Sequence, residues 1–247
     1  MKRLAPVLVA LLLAGCAKPL RFTAVPIARL DVPHYRTHGT FPLVVSRKPR
    51  LRRVNTELLA VLRHDQRSYG RWARRRVRSI DRDIRRYHGR WRYTGVYTTA
   101  PRGDLSSAST VVVSVLVPVR ALLPGGNDGD GWLSATIPVR TGKRIAVTGL
   151  FSDPREGLRA LAADVQPRLK RENKCVRDHS FPGTFRPTPH HYRNFALTPN
   201  GLAVAFNLAQ VASPPCGRVE TVVPYDVVRP YLSGLGQELV AGVRLPQ

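Results

Sequence analysis

Acidic side chains are scarce in this chain. Sixteen Asp and Glu stand against 40 Lys and Arg, a formal charge of +24 over 247 residues. Lysine is scarcer still, confined to Lys2, Lys18, Lys48, Lys143, Lys170 and Lys174, so the remaining 34 bases are Arg. Such an arginine excess also follows from a GC-rich genome, and the net charge therefore restricts partners less than its size suggests. The 19 Gly and 21 Pro show no period, which excludes collagen-like and low-complexity architectures. Internal repeats are missing. Beyond the N-terminus no apolar run approaches the ~20 residues of a membrane-spanning helix. Signatures of nucleophilic or metalloprotease catalysis are missing too: there is no G-x-S-x-G elbow, S-x-x-K pair or H-E-x-x-H helix. With 43% hydrophobic and 23% charged residues, the chain has the balance of one large or two small folded domains.

The N-terminus sets the expected compartment. Lys2 and Arg3 precede an apolar stretch over residues 4–13 that is too short to span a bilayer. It closes in Leu13-Ala14-Gly15-Cys16, which resembles the lipobox of bacterial lipoproteins. Residues 1–15 are expected to be a signal peptide, with Cys16 lipidated as the new N-terminus. Two or three acyl chains on one residue meet or exceed the two signals that stable anchoring takes. An ordinary secretory signal with a free Cys16 thiol is the alternative. The expected location is the extracytoplasmic face of the cell membrane, with the mature chain at 38 bases and 16 acids. Cys175 and Cys216 then remain as an even pair in an oxidising compartment, which predicts a disulfide. A thiol nucleophile with a partner His is the weaker reading.

Residues 16–34, punctuated by Pro19, Pro26 and Pro33, read as a tether that could end in an edge strand. A short strand is expected over 41–45. Leu51, Val54, Leu58, Leu59, Val61 and Leu62 then recur at helical spacing, continuing through Trp72, Val77, Ile80 and Ile84, with Gly70 as the point where the helix could break. β-branched and aromatic runs predict strands over 91–99, 110–120 and 132–140, with a turn-rich loop at 125–131. Asp153, Pro154 and Glu156 form a helix start, followed by a stripe of Leu158, Leu161, Val165 and Leu169. Asn200-Gly201 reads as a hairpin turn between strands at 195–197 and 202–206. A strand at 219–223 and a short helix at 225–232 close the pattern. The fold class is α+β: a mixed or antiparallel sheet with helices packed on one side. It forms one compact unit or two small, tightly packed subdomains. The expected boundaries are a subdomain with the basic helix at 35–140, a C-terminal domain at 141–235 and a tail at 236–247.

Several motifs occur in a telling order. Thr141-Gly142-Lys143-x-Ile145 is followed by Leu150-Phe151-Ser152-Asp153 and a helix. Asn200-Gly201-Leu202-x-Val204-x-Phe206-Asn207 comes next, then Val222-Val223-Pro224-Tyr225. This set resembles the RsiV-type C-terminal domain family, domain of unknown function 3298. That domain occurs in a lysozyme-sensing anti-sigma factor and beside some peptidoglycan deacetylase domains. Phe41-Pro42 and Val54-Asn55 resemble the partner domain that usually precedes it, so the likeness would cover residues 35–235. The chain departs from the family in Pro124-Gly125-Gly126-Asn127, which lacks the family's His, and in Cys216 within a segment that usually carries Tyr. The deacetylase domain and the cytoplasmic anti-sigma segment have no counterpart here. Lysozyme binding, implied by the resemblance, suits so basic a chain poorly, because like charges slow encounter.

Candidate chemistry is thin. Cys175, Asp178, His179, His190 and His191 are all potential zinc ligands, but their spacing fits no standard template and Cys175 has Cys216 as competitor. No metal and no cofactor are expected. Asp128 and Asp130 share the glycine-rich loop, which lacks the twelfth-position acid of a calcium loop; Asp81 and Asp83 share the basic helix. The unusual feature is that helix. Residues 47–92 hold 17 bases and four acids, and Arg71, Arg74, Arg75, Arg78, Arg82, Arg85 and Arg86 predict an anion-binding face. Nucleic acid would suit it, but an exported chain meets little, so nucleic acid is not an expected partner. Anionic lipid, an anionic wall polymer or an envelope protein are the expected partners. The expected function is thus a membrane-anchored, non-catalytic binding module of the cell envelope. The alternative is an envelope glycan-active hydrolase or deacetylase-associated enzyme, which a cleft gathering acids with His would favour.

Overall fold

The computed structural model describes residues 20–87, 94–122 and 129–243. The expected signal peptide, Cys16, the start of the strand expected over 91–99 and residues 125–128 of the turn-rich loop lie outside these. Strand β1 (Phe22–Pro26) runs antiparallel to the second half of β2 (Tyr35–Val44), while the first half of β2 runs parallel to β3 (Gly95–Thr99). Gly39 sits at this handover with φ of 120°, and a Cβ there would strike the Thr99 carbonyl. Helix α1 (Pro49–Arg86) links β2 to β3, the long crossover that a parallel pair requires. Antiparallel strands β4 (Ser106–Ala108), β5 (Val112–Leu122) and β6 (Gly131–Pro138) complete a six-stranded mixed sheet. A second sheet of three antiparallel strands holds β7 (Phe195–Thr198), β8 (Gly201–Phe206) and β9 (Val219–Val223); the expected hairpin is present, with Pro199-Asn200 as its turn and Gly201, expected in the turn, opening β8 opposite Thr198.

Alternation along the strands builds the layers. Val113, Val115, Val117 and Val119 of β5 face α1, meeting Leu51, Val54, Leu58 and Leu62. Each such fully buried side chain contributes about 2 kcal/mol. Leu116 points the other way, toward Ala196, Ala203 and Ala205 of the second sheet; these alanines let the sheets approach closely. The far side of the second sheet packs Leu202, Val204 and Phe206 against α2 (Pro154–Glu172), α4 (Tyr225–Val228) and α5 (Gly234–Val243). Each sheet thus carries helices on one side only, in the α+β class the sequence implies. The outer edge of β7 is satisfied by side chains: Leu197 N donates to Ser114 Oγ (2.8 Å), and its carbonyl accepts from Ser107 Oγ (2.6 Å). Asp153 caps α2, accepting from Arg155 N and Glu156 N. Helix α3 (Lys174–His179) follows, and Cys175 is bonded to Cys216 with Cα atoms 5.4 Å apart.

Three expectations change. The described part of the tether, from Leu20 onward, belongs to the fold: Ile27, Leu30 and Val32 are buried, and Gln66 Nε2 donates to Ala28 O (2.8 Å). Gly70 does not break α1. It is buried, and a Cβ there would stand 3.8 Å from Leu30 and 3.9 Å from Val32, ordinary van der Waals contact, so the helix runs straight through this position. The tail carries α5, whose Leu239, Val240 and Val243 are buried. Proline punctuation hides the first of these segments, whereas burial of a few spaced apolar residues places it in the fold.

Candidate functional site

A cleft of about 880 Å³ opens between α1, β6, the 144–147 segment and the loop before β7. Helical spacing brings Glu57, Val61 and His64 to one wall on successive turns, with Asp65 and Arg67 beside them; Arg144, Arg193 and Asn194 lie among the residues opposite. A second depression of about 370 Å³ shares Asp65, Trp132 and Asn207 with it and adds Tyr69, Tyr97 and Asp130.

The chemistry concentrates where the two depressions meet. Tyr97 Oη donates to Asp65 Oδ2 at 2.7 Å. Burial pushes the Asp65 carboxyl above its ordinary range, outweighing the Tyr97 hydrogen bond and the nearby His64, which pull it down. Burial and the Asp65 charge push the Tyr97 phenol up in turn. Asp130 Oδ1 is buried and lacks a hydrogen-bond partner among the described residues. Asn207 Oδ1 accepts from Trp132 N (3.2 Å) and Asn194 Nδ2 (3.1 Å). Trp132 is held by its Nε1 bond to Phe206 O (3.1 Å) and by the Arg218 guanidinium 5.6 Å from its ring centre. Glu57, His64, Asp65, Arg67 and Asn207 were not singled out as site residues from sequence, and Asp130 only as a loop acid. Asp65 had one signal: it lies three residues after the core residue Leu62, toward the buried face of an otherwise apolar stripe.

All seven predicted arginines lie on α1, within an arc of about 120° at helical spacing. Val77 is the last buried residue of the helix. Arg75, Arg78, Arg82 and Arg85 line one surface depression together with Asp81. Arg85 Nε also donates to Asp81 O (3.2 Å), and the other three make contacts elsewhere. Arg74 donates to Asp31 O (2.7 Å), Arg71 to Ser68 Oγ (3.1 Å), and Arg86 stacks 5.8 Å from the Tyr87 ring centre. The potential zinc ligands do not converge: Cys175 is in the disulfide, and Thr188 Oγ1 lies 2.6 Å from His191 Nδ1. Among the described residues no three His, Cys, Asp or Glu gather as a metal site. Nor is any described helix long and apolar enough to cross a membrane.

The second sheet and α2 carry the relationship to known proteins. Residues 149–226 match DUF3298, a protein family of unknown function. This span covers α2, α3 and all three strands of the second sheet, and lies within the 141–235 region of the resemblance. The α1 wall of the cleft and the arginine stripe fall outside it. The fold is similar to the crystal structure of a DUF3298 family member from Bacteroides fragilis, with a TM-score of 0.62 at 14% identity, over 90% of this chain and 97% of that one. A DUF3298 family protein from Pseudomonas aeruginosa is similar at a TM-score of 0.50 and 12% identity, over 90% and 98%. No curated protein matches the chain.

Proposed function

We propose that this chain is an exported lipoprotein, anchored through Cys16 at the extracytoplasmic face of the membrane, that acts as a non-catalytic binding module for an anionic envelope component. The observation that carries this reading is the convergence of Arg75, Arg78, Arg82 and Arg85 around a single acid, Asp81, on a helix end with no buried residue beyond Val77. Each arginine near anionic headgroups adds about 1 kcal/mol, so four together shift partitioning roughly 10³-fold. Cosedimentation across a salt series, with anionic vesicles and an anionic wall polymer in separate arms, tests it. Binding should fall steeply with salt and should be largely lost in an Arg75→Gln, Arg78→Gln, Arg82→Gln variant. Binding indifferent to both salt and substitution refutes the reading.

One observation favours a second reading, an enzyme acting on envelope glycans: Asp65, held toward its protonated form, lines the same depression as Asp130. A raised carboxylic acid beside a second carboxylate is the pairing that glycoside hydrolysis uses. New reducing ends released from peptidoglycan by the wild type, and not by Asp65→Asn, would establish it.

A further inference from the structure

We infer that the cleft between α1 and β6 is a binding site for an uncharged, polyhydroxylated ligand, a segment of an oligosaccharide, separate from the arginine stripe. The charge of one sign that marks the rest of the molecule is diluted in this space. Glu57 and Asp65, the latter shifted toward its neutral form, share its walls with Arg67, Arg144 and Arg193, so acids and bases mix here in a chain of +24. A polyanion meets carboxylates in the cleft and a polycation meets guanidiniums. A neutral ligand meets both as hydrogen-bonding groups.

The unpaired atoms point the same way. Among the described residues Asp65 uses only Oδ2, in its bond from Tyr97, and Asn207 uses only Oδ1 of its amide. In the adjoining depression, which shares Asp65 and Asn207 with the cleft, Asp130 Oδ1 is buried without a partner among the described residues. Acceptors and donors therefore stand open side by side. Hydroxyl groups satisfy both kinds, since each donates one hydrogen bond and accepts two. The volume, about 880 Å³, lies within the range of small-ligand pockets. An extended peptide is the poorer occupant. The β6 backbone bordering the cleft is already engaged at Trp132 N by Asn207 and at Thr136 O by Ile145 N. Those bonds interrupt the run of free groups that strand addition needs.

The test is saturation-transfer NMR on the full chain with three neutral probes, tetra-N-acetylchitotetraose, cellotetraose and maltotetraose, and with tetra-alanine as a peptide control. At least one sugar should receive transfer. Its affinity should fall about tenfold or more in Asp65→Asn, whose amide oxygen can still accept the Tyr97 bond, and in Glu57→Gln, which leaves the buried groups intact. Added salt and the triple arginine variant should leave sugar binding unchanged, so failure of the stripe and failure of the cleft read out separately. Absence of transfer to all three sugars overturns the inference. So does sugar binding equal to wild type in both variants, or preference for tetra-alanine over every sugar.

Discussion

Tyr97 and Asp65, 32 residues apart in sequence, are joined by a 2.7 Å hydrogen bond in which the phenol donates to the carboxylate. The bond ties the crossover helix to β3, the strand it leads to. It also stands where the cleft and its smaller neighbour meet, so one side-chain pair serves packing and site together.

Asp65 gives the fold a pH dependence of defined sign. Burial raises its folded-state value above the 3.8 of the free side chain, so the folded state holds its proton more tightly than the unfolded one. Its favourable contribution is complete below the unfolded value and is lost as pH rises through the folded value. Thermal melts from pH 3 upward should show Asp65→Asn gaining stability relative to wild type across that window. Parallel profiles for the two proteins would contradict the assignment.

Asn55 replaces a strand partner. Its Oδ1 accepts from Val44 N and its Nδ2 donates to Val44 O, both at 2.9 Å, which fastens the start of α1 to the end of β2. Asn55→Ala leaves two backbone groups of buried Val44 unpaired and should cost about 1–3 kcal/mol. Urea denaturation with unchanged m-value should register it as a lower midpoint.

The Cys175–Cys216 bond spans a sequence separation of 41 residues. Loop-closure entropy of that length corresponds to about 4 kcal/mol. A Cys175→Ser, Cys216→Ser double variant should therefore melt well below the oxidised wild type and close to the reduced one. If all three melt together, the bond is absent in solution.

Lipidation at Cys16 is expected to place the chain in the membrane fraction. Metabolic labelling with an alkynyl fatty acid should mark the wild type and leave Cys16→Ser unmarked. Equal labelling of both would exclude this cysteine as the acylation site.

Some of this was written in local sequence. The apolar spacing from Leu51 to Val77 specified α1, Asp153-Pro154 its cap and start for α2, and Asn200-Gly201 a hairpin, because each signal lies within one or two turns of chain. Two cysteines left over after Cys16 sufficed to propose their pairing. Tertiary structure decided the rest. Ile27, Leu30 and Val32 carry no recognisable period, yet they are buried in the cluster that α1 and the first sheet form. The stripe of seven arginines resolves into four that line one depression and three that turn to Asp31, Ser68 and Tyr87 instead. The cleft was illegible for the same reason. Asp65, Asp130 and Asn207 come from a helix, a strand entry and a strand exit, and only the packing of α1 and the second sheet around β6 brings them together. Periodicity records which face of an element is buried; it holds no information about which distant polar residue will stand opposite.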